Sequence, residues 1–100
     1  MRLYKLIDEA EFPEKTETGY VNIRSVERVD VRPNETRSVY TGLRITKTIK
    51  EDIIVKSAWD DLYLIEESGE ELYIKVFNMG ERNIMIYPGM VIGEIFSRKI

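Results

Sequence analysis

The stretch from Lys56 to Glu71 carries most of the groups that could do chemistry. Asp60, Asp61, Glu66, Glu67, Glu70 and Glu71 crowd into it. Carboxylates hold Mg2+ or Ca2+ where two or more converge. On alternating strand positions they diverge instead, so a solvated acidic hairpin is the expectation for this cluster. Trp59 and Tyr63 flank it; such aromatics either stack a base or fill a core or a subunit interface. The rest of the toolkit is short. There is no His among the 100 residues, which removes the Ser-His-Asp triad, the usual zinc sites and the commonest general base. There is no Cys either, hence no disulfide framework and no thiolate nucleophile. Catalysis would have to run on carboxylates, Lys, Tyr, Ser or a bound metal.

Composition fits one globular domain spanning residues 1–100, with 43% hydrophobic and 33% charged residues. A net charge of −3 does not advertise nucleic-acid binding. No apolar run has the length of a membrane span or of a signal peptide, so a cytoplasmic protein is expected. Gln is absent while Lys, Glu, Arg and Ile abound, a bias that resembles that of thermophile proteins.

The groups must be positioned by strands. Val26 to Val31 alternates weakly, with Val29 and Val31 on one side. Arg32-Pro33-Asn34-Glu35 reads as a turn, because Pro fixes φ and Asn tolerates a left-handed backbone. Thr36 to Ile45 is rich in Thr, Val, Tyr and Ile and reads as one strand, with Gly42 marking a bulge or a close backbone approach. Ile53-Ile54-Val55 is a short buried strand. Leu62 to Ile65 and Glu71 to Asn78 form a hairpin, with Leu72, Ile74 and Val76 facing one way. Asn83 to Tyr87 and Val91 to Phe96 follow, separated by the turn dipeptide Pro88-Gly89. Only Leu6 to Phe12 has the pattern of a helical turn, which Pro13 would end. Strands at this spacing indicate a sandwich or barrel.

The block Leu72-Tyr73-Ile74-Lys75-Val76-Phe77-Asn78-Met79-Gly80, followed by Ile84-Met85-Ile86-Tyr87-Pro88-Gly89-Met90-Val91-Ile92-Gly93-Glu94-Ile95-Phe96, resembles the strand–turn–strand–turn–strand block of the dUTPase and dCTP deaminase superfamily. Two weaker matches stand upstream in the expected order. Gly19-Tyr20-Val21-Asn22-Ile23-Arg24-Ser25 is similar to the family's first motif. Val29 to Thr36 followed by Tyr40-Thr41-Gly42-Leu43 is similar to its Pro-Gly-acidic, strand, Thr-Gly-Leu passage. The resemblance implies an all-β, dUTPase-like distorted β-barrel or β-clip. It also implies a homotrimer with nucleotide sites between subunits.

Carried over residue by residue, the resemblance keeps the scaffold and alters the chemistry. Asn22 matches the Asp near metal and triphosphate, and an amide lacks the charge a hard cation prefers. Lys56-Ser57-Ala58-Trp59 matches the phosphate-gripping Arg-Ser motif, with Lys in place of the bidentate Arg. Glu66 stands where the nucleoside-binding hairpin has its catalytic Asp, and the aromatic that packs on deoxyribose has no match. Lys75 stands at the catalytic Glu of the deaminase branch, which removes a contribution of about 10²–10⁴ in rate. The family's C-terminal Gly-rich arm has no expected counterpart. Two functions follow from the resemblance. One is a non-catalytic trimeric scaffold with residual nucleotide binding or a protein partner. The other is a minimal dUTP pyrophosphatase, with Glu66 orienting water, Lys56, Ser57 and Asn22 toward phosphate, and Mg2+ held by the triphosphate.

Overall fold

The computed structural model describes residues 2–10, 20–47, 50–68 and 71–99. Ten strands succeed one another among the described residues: β1 Arg2–Lys5, β2 Val21–Arg24, β3 Val29–Val31, β4 Thr36–Tyr40, β5 Leu43–Thr46, β6 Glu51–Ser57, β7 Leu62–Ser68, β8 Leu72–Asn78, β9 Ile84–Ile86 and β10 Val91–Lys99. They pair antiparallel into four small sheets, ordered β1-β5, β2-β10-β6, β3-β9 and β4-β8-β7. The all-β expectation holds. No helix among the described residues is long and apolar enough to cross a membrane.

Alternation of side chains builds one core between these sheets. In β8 the burial runs strictly in and out, with Leu72, Ile74 and Val76 inward as the sequence pattern requires. Val29 and Val31 of β3 and Ile86 of β9 point to the same interior. Each fully buried Leu, Ile or Val contributes about 1.5–3 kcal/mol.

Three details differ from the sequence expectation. The run from Thr36 to Ile45 is two strands in two different sheets, broken at Thr41 and Gly42. Gly42 has φ +70°, and a Cβ there would collide with Ala10 and Ile7; a side chain at that corner is excluded twice over. The chain at Ile7–Ala10 makes a single turn, closed by the Ala10 amide donating to the Ile7 carbonyl at 3.2 Å; Phe12 and Pro13 lie outside the described residues. Strand β1 has no counterpart in the sequence reading, because only Leu3 of its four residues turns toward the core.

The Asn-x-Gly turn after β8 is a hydrogen-bonding hub. Asn78 is fully buried. Its amide donates to the carbonyls of Val31 (2.9 Å) and Arg82 (2.8 Å), and its side-chain oxygen accepts from the Gly80 amide (2.9 Å). Its backbone pairs with Asn34 and Glu35. One residue, through side chain and backbone together, thereby joins β3, the turn before β4 and the turn before β9.

Candidate functional site

The chain's central polar array lies across the sheet β2-β10-β6. In this register Asn22 is opposite Glu94, and Glu94 is opposite Lys56. Directly opposed residues of antiparallel strands share a face, so the three form a row across the sheet: amide, carboxylate, ammonium. Beside the row, on the same face, lie Tyr20 and Phe96, whose rings meet edge-on at 4.4 Å. The Lys56 ammonium sits over the Tyr20 ring, 5.8 Å from its centre, in cation–π contact. Among the described residues, no side-chain hydrogen bond joins Asn22, Glu94 or Lys56 to one another.

Strand geometry decides which residues can join this row. Ser57 follows Lys56 in β6 and so turns to the other side of the sheet. Its hydroxyl donates to the Trp59 carbonyl (2.8 Å) and accepts from the Trp59 amide (3.1 Å). Ser25, at the end of β2, closes the same kind of turn on Glu27. Both serines thus terminate strands by a local side-chain-to-backbone turn. Gly93 lies between β2 and β6, opposite both Ile23 and Ser57. A Cβ on Gly93 would stand 2.6 Å from the Lys56 carbonyl oxygen and 2.6 Å from Leu64 Cδ1, so Gly93 lets β6, β7 and β10 close together.

Glu66 belongs to a different sheet and a different side. It pairs with Ile74 on β8 and therefore faces inward with Leu62 and Leu64. Its Oε1 is buried and has no hydrogen-bond partner. Such an acceptor costs about 1–3 kcal/mol. It is the one orphaned buried side-chain polar atom among the described residues.

The other acidic residues diverge. Asp60 and Asp61 are exposed at the turn between β6 and β7. Glu71 reaches over the outer face of β4-β8-β7, where its two oxygens accept from the hydroxyls of Tyr40 (3.1 Å) and Tyr73 (3.5 Å). Desolvation of the stacked rings, and then the Glu71 hydrogen bond and charge, push the Tyr40 phenol above its ordinary value. For Tyr73 desolvation again leads, followed by the charge of Glu71 and its hydrogen bond. Glu70 and the side chain of Glu67 lie outside the described residues. No group of three or more His, Cys, Asp or Glu gathers as a metal site among the described residues. Mg2+ arriving on a phosphate chain needs no such cluster.

The aromatic pair separates too. Trp59 packs against the core, while Tyr63 is 55% exposed. Tyr63, Ile65, Lys75, Phe77 and Thr36 line a hollow of about 280 Å³ on the outer face of β4-β8-β7. The sequence alone singles out Asn22 and Lys56 as site candidates but not Tyr20, Glu94 or Phe96. The signal for Glu94 is present, since it is the charged position within the apolar first part of the last strand, Val91 to Phe96.

No protein-family model matches the chain, and no curated protein matches it. Solved structures do. The dUTPase from phage phi11 of S. aureus superposes with a TM-score of 0.80 at 15% identity, covering 99% of this chain and 89% of that one. A mutant of the same enzyme, described for the coordination of a structural Mg(II) ion, gives 0.79 at 15%, with 99% and 90% covered. The Staphylococcus bacteriophage 80alpha dUTPase gives 0.79 at 17%, with 99% and 89% covered. The chain has the dUTPase-like fold.

Proposed function

We propose that this chain is a non-catalytic dUTPase-like domain, assembled as a homotrimer and serving as a scaffold with residual nucleotide binding. The observation that carries the reading is the dispersal of the candidate chemistry. Asn22 and Lys56 share one sheet face with Glu94. The Ser57 hydroxyl is spent on a strand-end turn. Glu66 faces the interior side of another sheet. Lys75, at the deaminase position, pairs with Ser38 and Ile65 on an outer face. The row Asn22–Glu94–Lys56 beside Tyr20 and Phe96 suits weak contact with a base and a phosphate, and Mg2+ would come with those phosphates. Exposed Tyr63 and Ile65 beside Phe77 supply an apolar face for a second copy. A cytoplasmic location and a thermophilic source belong to the same proposal.

The test is dUTP and dCTP turnover with Mg2+, together with a solution mass. The expected results are no turnover and three times the protomer's 11.8 kDa. Turnover at about 1 s⁻¹ or faster, the ordinary enzyme scale, overturns the scaffold reading. A monomer at micromolar concentration overturns the trimer. A nucleotide at about a hundred times its dissociation constant stabilises the fold by roughly 2.7 kcal/mol, so a thermal-shift series reads residual binding directly.

One observation favours a second reading, the minimal Mg-dependent dUTP pyrophosphatase. The buried, unpartnered Oε1 of Glu66 is the kind of acceptor a water nucleophile would satisfy. In that case Glu66→Gln abolishes turnover and leaves folding intact.

A further inference from the structure

We infer that the outer face of β3 and the turn that follows it form an oxyanion site, built for a polyphosphate group and separate from the Asn22–Glu94–Lys56 row. The residues on β3 alternate so that Val29 and Val31 are buried while Arg28, Asp30 and Arg32 project outward on one side. Arg37 and Glu35 come in from the start of β4, and Asn83 from the chain just before β9. Together these six residues line a cavity of about 440 Å³, within the size range of small-molecule sites.

The lining names the ligand class. Every lining residue is charged or an amide, so the cavity holds no apolar wall for a base or an acyl chain. Three guanidiniums face two carboxylates, which leaves an excess of positive charge. The carboxylates hold Arg28 and Arg37 loosely, at 3.9 Å in each pair. Among the described residues, the Arg32 guanidinium has no hydrogen bond or ion pair. Arg28 is further oriented by the Tyr87 ring, 5.8 Å from its guanidinium carbon. Planar guanidiniums match phosphate oxygens two at a time, which a point charge cannot do.

The site is also held still. Asn34 takes the left-handed conformation, φ 64°. The Glu35 amide donates to the Arg32 carbonyl at 3.0 Å, and the backbone of Asn34 and Glu35 is bonded to that of Asn78 at 2.9 and 3.1 Å. The turn that carries Arg32 is thus fastened to the fully buried hub residue. Preorganised donors lose less freedom on binding.

The experiment titrates the full chain with inorganic triphosphate by calorimetry at about 50 mM salt and again at about 300 mM, where screening is stronger. Saturable binding that weakens with salt is expected. Arg32→Ala with Arg37→Ala should lower affinity tenfold or more. Arg2→Ala with Arg44→Ala removes the same charge from β1 and β5 and should leave affinity unchanged. A nucleoside triphosphate forms the second arm: equal affinity identifies the phosphate chain alone as the ligand, and tighter binding identifies a nucleotide. The inference is overturned by no triphosphate binding at millimolar concentration, or by equal loss in the Arg2/Arg44 control. Circular dichroism of each variant confirms that these exposed positions leave the fold intact.

Discussion

Asn78 and Glu66 face the same interior from neighbouring strands, yet they are treated in opposite ways. Asn78, at the end of β8, makes three side-chain hydrogen bonds, so its side-chain nitrogen and oxygen are both partnered. Glu66, further along β7, has a buried oxygen with no partner. The fold was able to satisfy a buried polar group completely at one end of the sheet β4-β8-β7. It did not do so at the other. The satisfied residue is an element of architecture, and the unsatisfied one is a cost that the single chain carries.

This contrast can be broken most forcefully at Asn78. Asn78→Ala removes three hydrogen bonds and strands two carbonyls and an amide, with an expected loss of about 3 kcal/mol in denaturant unfolding. A loss below about 1 kcal/mol would show that water replaces the side chain and that Asn78 is no hub. Next in size is Gly93→Ala, at the seam where β10 lies against β6 and Leu64. The new methyl meets a backbone carbonyl that cannot swing away, and about 2 kcal/mol should be lost. An unchanged midpoint would mean the two sheets are looser than their spacing implies.

Glu66→Leu has the opposite expected sign. Replacing the orphaned carboxylate by an apolar group of similar reach should stabilise the chain by about 1 kcal/mol. Destabilisation instead would reveal that a second subunit or a ligand supplies a donor in solution, which would place Glu66 at an occupied site. The smallest effect concerns Glu71, the outward carboxylate that is satisfied by two phenols. Tyr40 and Tyr73 ionise above the ordinary value of 10.0. The unfolded chain gives up these protons near pH 10, so the associated stability is full below that pH and is lost as pH rises through the folded values. Absorbance titration near 295 nm should show two late phenols, and Glu71→Gln should move both earlier.

Much of the architecture was readable from pattern. The hairpin of β7 and β8, the Asn78-Met79-Gly80 turn and the Pro88-Gly89 turn all carry local signals, and local signals survive into the fold. The corner at Gly42 is legible as a bulge or close backbone approach but not as a change of sheet, because the partners β1 and β8 are set by contacts distant in sequence. The candidate site was half legible for the same reason. Lys56 and Ser57 are adjacent in sequence and therefore look like one motif, yet a strand sends them to opposite sides. Lys56 and Asn22 are far apart in sequence, and only the register through Glu94 brings them into line. Spacing along the chain finds candidates; pairing across the sheet selects among them.

The strand order β2-β10-β6 has a consequence for the chain's history during synthesis. The two outer strands of that sheet are made first, and the strand that joins them is the last of the ten. Until β10 emerges from the ribosome, β2 and β6 each present an open edge with unpaired amides and carbonyls. The row of polar groups on that sheet therefore cannot assemble gradually. It comes into existence only once β10 is available to pair with both β2 and β6.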